Sequence, residues 1–259
     1  MQCLICRHEA YKFKVKNGFN ICRCSECGLE FLSPMPSEKE LYRFYSNDYM
    51  DIRQSPKVTR KLGERNLKEI VENLPITKDS KVLDFGCGAS NTFIGACRDF
   101  SYSNSFGYDK YSNNEDDESR ISWNEVQENQ YDLITMWGIL EHLVDPIKTL
   151  SLIRSLLSPN GLIVLTTVFS DMPIPFRYKP PEHTIYYTKE TMPIIAKSSG
   201  LDLLKLNDYF IDQDSDVYFE ILLRTMPEKY KKLCEHKMPE FVDIPTNERL
   251  VVMRNNLDF

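Results

Sequence analysis

The sequence predicts an α/β fold, an open and mostly parallel doubly wound sheet with a small cysteine-built unit at its N-terminus. Three observations carry that expectation. Residues 82–90 read V-L-D-F-G-C-G-A-S, an apolar strand that runs into an aspartate and closely spaced glycines before a helix start. Two further apolar runs, 131–139 and 162–169, flank a segment with helical periodicity. Strands alternating with helices in this way build βαβ units. Finally, five of the eight cysteines lie in the first 27 residues.

The glycine turn comes first. A strand feeding a glycine pair and then a helix leaves backbone N–H groups exposed at a positive helix terminus. Such a turn is suited to the polar part of a nucleotide-like cofactor. Asp109 ends a second short apolar run, Phe106-Gly107-Tyr108, 21 residues after Gly88. An acid at that distance is placed for the two hydroxyls of a ribose. The dinucleotide pattern G-x-G-x-x-G is not met, because Asn91 stands where a small residue is needed.

The D-x-G-C-G of residues 84–88 instead resembles the first motif of class I S-adenosylmethionine (SAM)-dependent methyltransferases. The resemblance implies a Rossmann-like, seven-stranded sheet as the methyltransferase core. It also implies a cofactor site in which Asp84, Gly86, Cys87 and Gly88 lie against the methionine end of SAM and Asp109 holds the ribose. Many members carry a third glycine where this chain has Ser90, and a serine there can also cap the helix.

The strand at 131–139 runs into L-E-H-L-V-D-P, a segment that also follows the fourth strand of the resembling enzymes, beside the methionine end of SAM. That placement implies Trp137 as a cofactor contact and invites a catalytic reading of His142. Glu141 and His142 equally suit the organisation of the loop and helix start. Asp145 is a plausible N-cap with Pro146 at the first helical position. Ile147, Leu150, Ile153 and Leu157 share one face, and 158–161 (S-P-N-G) stops the helix.

Composition narrows the function classes. A chain of 259 residues with 42% hydrophobic content can bury a large core. No apolar run approaches 18 residues and no apolar signal core opens the chain, so a cytoplasmic protein without a membrane contact is expected. The net charge of −6 argues against a nucleic-acid partner gripped over a wide surface. The acidic cluster at 115–118 reads as a solvated loop.

Cys3-x2-Cys6 and Cys24-x2-Cys27, separated by 17 residues, match a four-cysteine zinc site. Gly28 supplies the backbone freedom that a knuckle needs. Disulfides would require an oxidising compartment, and nothing accompanies these cysteines to suggest one. Four protein ligands leave no open position, so the Zn2+ would be structural. Cys22 and His8 lie near enough to be substitute ligands. Cys87, Cys97 and Cys234 read as isolated buried thiols.

Beyond the cysteines, Pro34 and Pro36 end an extended stretch, and Ser37 with Glu40 forms a capping box. The ribbon, this P-x-P-S-E segment and the glycine turn together are similar to a bacterial methyltransferase group tied to sugar and surface-polysaccharide tailoring. The similarity spans about residues 1–210. In that group, aromatics of the linking segment approach the methyl-transfer site, which implies Tyr45 or Tyr49 here, though a tyrosine stripe also suits packing. Residues 171–187 hold four prolines and read as a stiff loop over the carboxyl ends of the strands. Near its end, Glu182-His183 matches a Glu-His pair of the group near the active site. Histidine is the natural base for an oxygen nucleophile. His183 is therefore expected as base, His142 as second choice, and Arg177 or Lys179 as partners of an acidic acceptor.

Residues 189–199 read as a helix, and 201–211 and 217–225 as an antiparallel pair closing the sheet. The organisation expected is a ribbon at 1–33, a helical linker at 34–54, a core at 55–225 and a tail at 226–259. The function expected is SAM-dependent methyl transfer to a small-molecule acceptor, a sugar or a phosphate or phosphoramidate group in capsule or surface-polysaccharide biosynthesis. Two alternatives stay open: a zinc-ribbon RNA methyltransferase, for which Lys12, Lys14, Lys16 and Arg23 give a modest basic face, and a non-catalytic SAM-fold binding module.

Overall fold

A computed structural model of the chain describes residues 1–45, 56–112, 117–170, 178–208 and 248–255. Two sheets organise them. The larger has six strands in the order β5-β4-β6-β7-β10-β9. β4 (Val82–Phe85), β5 (Ser105–Tyr108), β6 (Tyr131–Trp137) and β7 (Leu157–Val168) are parallel neighbours, whereas β10 (Glu248–Asn255) runs antiparallel to both β7 and β9 (Leu201–Asp208). Six strands of this sheet lie among the described residues, where seven were expected. Beyond β5 only a single parallel bridge, Gly107 to Arg120, marks the place of another strand.

Side chains alternate across this sheet as the two-residue period requires. Val82, Leu133, Leu162 and Val164 join one cluster with Leu67 and Ile70 of α2 (Pro56–Asn73) and Phe93 and Ile94 of α3 (Thr92–Asp99). Leu83, Ile134, Ile163 and Leu165 point the other way. They pack with Val126 of α4 (Trp123–Gln127), Leu150 and Ile153 of α5 (Pro146–Ser155) and Ile195 of α6 (Thr191–Ser198). This is the doubly wound arrangement. α5 begins as its sequence dictates: the Asp145 carboxylate accepts from the Lys148 N–H, and Pro146 needs no donor at the first turn.

The second sheet revises the domain picture. β1 (Ala10–Lys16), β2 (Phe19–Cys24) and β3 (Glu30–Leu32) are antiparallel, and β3 pairs with β8 (Ile185–Tyr186) from the far side of the core. The ribbon's sheet thus gains a fourth strand from later in the chain. Its apolar residues Leu29 and Phe31 share a cluster with Ile185 and Tyr187. Of the expected tail at 226–259, residues 248–255 are described. Glu248–Asn255 is the strand wedged between β7 and β9, the neighbour of β9 that 217–225 was expected to supply; 217–225 itself lies outside the described residues.

The short α1 (Glu38–Arg43) carries the expected capping box, with Ser37 Oγ accepting from the Glu40 N–H and the Glu40 carboxylate accepting from the Ser37 N–H. No helix among the described residues is long and apolar enough to cross a membrane.

Met253 of β10 is fully buried. Met253→Ala is expected to cost about 2–5 kcal/mol of stability, the range for truncating a buried methionine. Urea unfolding measures it, and an unchanged midpoint would remove β10 from the core.

Candidate active site

The carboxyl ends of β4, β5 and β6 open onto a cavity of about 720 Å3. The turn after β4 shapes its floor. Gly86 has φ +82° and Gly88 φ +64°, the left-handed region that glycine enters without strain. A Cβ on Gly86 would lie 2.4 Å from Ile139 Cδ1, so a side chain there would strain the backbone angle and force Ile139 to shift. The Gly86 and Cys87 N–H groups both donate to the Tyr108 carbonyl, at 2.7 and 3.1 Å. Asp84, only 3% exposed, accepts from Thr135 Oγ1 at 2.8 Å.

Asp109 stands across the turn. Its Oδ2 accepts from the Gly88 N–H at 2.9 Å, while Oδ1 accepts from the N–H groups of Tyr111 and Ser112 at 2.8 and 3.0 Å. Three backbone donors thus fix the carboxylate in place, and it lines the cavity. Ser90 does not cap α3. The N-cap is Asn91, whose side chain makes no capping bond, and Ser90 Oγ pairs with Thr92 Oγ1 at 2.8 Å on the cavity wall. Cys87 is a cavity residue whose thiol is pushed far up by burial and then by the Asp84 charge, so it stays protonated at neutral pH.

The far wall is built by the turn after β6. His142 and Trp137 line the cavity, the latter 5.5 Å from the Phe93 ring. His142 Nδ1 lies 2.7 Å from Tyr45 Oη, and the Tyr45 ring stacks on Tyr111 at 4.9 Å. Glu141 is buried; its Oε2 accepts from Thr167 Oγ1 at 2.8 Å and its Oε1 lies 3.9 Å from His142 Nε2. His183, 5% exposed, packs its ring edge-on against His142 at 4.9 Å, but it is not among the described residues lining the cavity.

Over residues 58–206, more than half of the chain, the sequence matches the family described as a methyltransferase domain. The chain belongs to this methyltransferase family. A SAM-dependent methyltransferase from Archaeoglobus fulgidus is similar in structure at TM-score 0.50 and 17% identity, over 85% of this chain and 100% of that one. Another SAM-dependent methyltransferase, from Clostridium acetobutylicum ATCC 824, has TM-score 0.46 and 13% identity over 84% and 97%. No curated protein matches the chain. The enzyme class expected from the glycine turn is the one the family carries.

In this methyltransferase the four ribbon cysteines converge. Cys3 and Cys27 Sγ are 3.7 Å apart, and Cys6 Sγ lies 3.4 Å from the Sγ atoms of both Cys24 and Cys27. Sulfurs at about 2.3 Å from a tetrahedral zinc stand about 3.8 Å from one another, so the set fits that ion. The Ile5 and Glu26 N–H groups donate to the Cys3 and Cys24 sulfurs, as knuckle amides do. The hydrogen bond from Cys27 holds the Cys3 thiol down at about 5. Neither Cys22, buried in β2, nor exposed His8 belongs to the group.

Several sequence expectations are relocated. Tyr49, Arg177 and Cys234 lie outside the described residues. Glu182 contributes a main-chain carbonyl 3.5 Å from Tyr45 Oη, and Lys179 accepts the His183 N–H. Asp117, read as part of a solvated loop, is bonded to Ser119 and Asn91. The sequence reading missed Tyr108, Tyr111 and Trp123, cavity residues whose aromatic rings near Asp109 were the available signal. Phe85, Tyr108 and Trp123 form a cluster with centroids 5.2–6.4 Å apart.

Gly86→Ala is expected to cost more than the about 1–2 kcal/mol of left-handed strain alone, because Ile139 must also move. Thermal unfolding reads this, and a variant as stable as the parent would show that the turn is not constrained as described.

Proposed function

We propose that this methyltransferase uses SAM to methylate a small-molecule acceptor, with the acceptor's proton taken at His142. The observation that carries the reading is the joining, in one cavity, of a fixed Asp109 and glycine turn with the His142–Tyr45 pair. When bound, SAM supplies a methyl group already made electrophilic by the sulfonium. The protein's part is holding, alignment and removal of one proton.

Asp109 would hold the ribose hydroxyls, and the backbone around Asp84, Gly86, Cys87 and Gly88 the methionine end, with Trp137 beside it. The apolar faces of Phe85, Tyr108 and Trp123 suit a purine. The uncapped N-terminus of α3 suits a carboxylate. As base through Nε2, His142 carries its hydrogen on Nδ1 and donates it to Tyr45 Oη, which turns its own hydrogen toward the Glu182 carbonyl. The Glu141 carboxylate at 3.9 Å then favours the imidazolium formed when the acceptor is deprotonated. His183, expected from sequence as the base, is better placed to orient His142 by ring contact.

Lys148 on the cavity wall supports an acceptor bearing phosphate, and the sugar or phosphate class remains the reading favoured by the ribbon-plus-turn pattern. The RNA alternative loses support from the ribbon's own contacts. Lys14 Nζ sits 3.7 Å over the Tyr178 ring, and Arg23 is bonded to buried Glu30. The four thiolates would hold a structural Zn2+ that keeps the ribbon folded.

Calorimetric titration with SAM and with its demethylated product, S-adenosylhomocysteine (SAH), tests the cofactor reading. Binding is expected, with Asp109→Ala weaker by about tenfold or more, and a folded protein that binds neither would overturn it. Metal analysis is expected to find one zinc per chain, lost in a Cys24→Ser/Cys27→Ser double variant. Zinc-free protein with an intact ribbon would remove the metal from this account.

A further inference from the structure

We infer that Arg120, set by Asp117 and Asn91, is a positioning residue that locks Gly88 and Ser112 into one frame for the cofactor. The inference rests on the SAM reading above. The Arg120 side chain is 8% exposed and lies just beyond edge strand β5. Its Nη1 donates to the Ser112 carbonyl at 3.0 Å, and its Nη2 donates to the Gly88 carbonyl. Both carbonyls belong to residues that line the cavity, one in the turn after β4 and one three residues after Asp109.

The consequence for Gly88 is specific. Its N–H is already held by the Asp109 carboxylate at 2.9 Å, and its carbonyl by Arg120. The peptide groups on both sides of this residue are therefore tethered. Glycine ranges over more of φ/ψ space than any other residue, so a glycine at φ +64° next to a ligand needs such tethers to be ordered before the ligand arrives. Asp109 alone ties one side. Arg120 ties the other, where the Asn91 N–H also donates to the Gly88 carbonyl at a longer 3.4 Å, and Arg120 ties the same residue to Ser112, whose own N–H is held by Asp109. Turn and loop become one unit.

Arg120 is in turn oriented. The Asp117 carboxylate lies 3.7 Å from its Nε. Asn91 Nδ2 donates to Asp117 Oδ2 at 2.9 Å and to Ser119 Oγ at 2.7 Å, and the Ser119 N–H donates to Asp117 Oδ1 at 3.0 Å. Asn91 is 4% exposed and forgoes capping α3 to make these bonds. A Cβ at position 107 would come within 2.4 Å of Asn91 Oδ1, so Gly107 leaves the room this amide occupies. Burial alone would raise the Asp117 pKa, but the bonds from Ser119 and Asn91 and the charge of Arg120 outweigh it. The carboxyl sits below its usual range and stays charged at neutral pH.

The test is calorimetric titration of the full-length, zinc-analysed protein with SAH. Arg120→Ala is expected to weaken SAH binding by about tenfold or more, the scale of one charge-assisted hydrogen bond. Millimolar guanidinium, at concentrations where urea has no effect, is expected to restore most of that affinity, a rescue that a general loss of stability would not show. Arg120→Lys, which cannot span both carbonyls, is expected to remain folded by thermal unfolding yet bind about fivefold more weakly. It carries the test if the alanine variant fails to fold. A parent protein that does not bind SAH overturns the cofactor reading, and this inference with it. A parent that binds, with folded Arg120 variants within about twofold of it or insensitive to guanidinium, overturns the positioning role alone.

Discussion

Ile139 packs against the turn where β4 gives way to α3, and a side chain at left-handed Gly86 would strain the backbone and push Ile139 aside. Much of the cavity follows from that constraint. With Gly86 left-handed, the N–H groups of Gly86 and Cys87 both reach the Tyr108 carbonyl. The first residues after β4 are thereby bound to the end of β5, and Asp109, the next residue, is brought opposite Gly88. Ile139 belongs to the turn after β6, so the same contact joins the glycine turn to the wall that carries His142. Three strand ends are referred to a single glycine.

A second constraint is the need to satisfy backbone groups. β8 is only two residues long and takes its ladder partner from the ribbon, not from the large sheet. The Leu32 N–H donates to the Thr184 carbonyl, the Thr184 N–H to the Glu141 carbonyl, and Thr184 Oγ1 to the Leu143 carbonyl. Thr188 Oγ1 donates to the carbonyl of ribbon residue Cys27 at 2.9 Å. The segment carrying His183 is thus sewn to the ribbon on one side and to the His142 turn on the other. On the proposed reading, a folded ribbon supports the segment that packs behind the His142 wall.

Burial of charge shows the same economy of partners. Glu30 and Glu141 are buried carboxyls, yet Glu30 is met by Arg23 and Tyr178, and Glu141 by Thr167. A buried carboxylate left without donors would cost several kcal/mol. Glu30 thereby joins the paired strands β2 and β3 to Tyr178, and Glu141 joins the turn after β6 to β7. The Tyr178 hydroxyl donates to the Glu30 carboxylate across 148 residues of sequence, and ribbon residues such as Leu29 and Phe31 share a cluster with Ile185 and Tyr187 of the core.

The local features of this chain were legible in its residues. The glycine pair, Asp109, the capping box of Ser37 and Glu40, the Asp145-Pro146 helix start and the paired cysteines all act over a few residues or recur at fixed spacing, so sequence alone determined them. The strand-and-helix alternation likewise determined the doubly wound core. What the tertiary structure decided are the long-range pairings: β10 between β7 and β9, β8 in the ribbon sheet, Tyr45 on His142, and Arg120 on Gly88. Each joins residues far apart in sequence by hydrogen bonds or ring contacts that carry no local pattern. His142 rather than His183 lines the cavity for the same reason. Which of two histidines faces a ligand depends on how two distant segments cross, and only the folded chain contains that crossing.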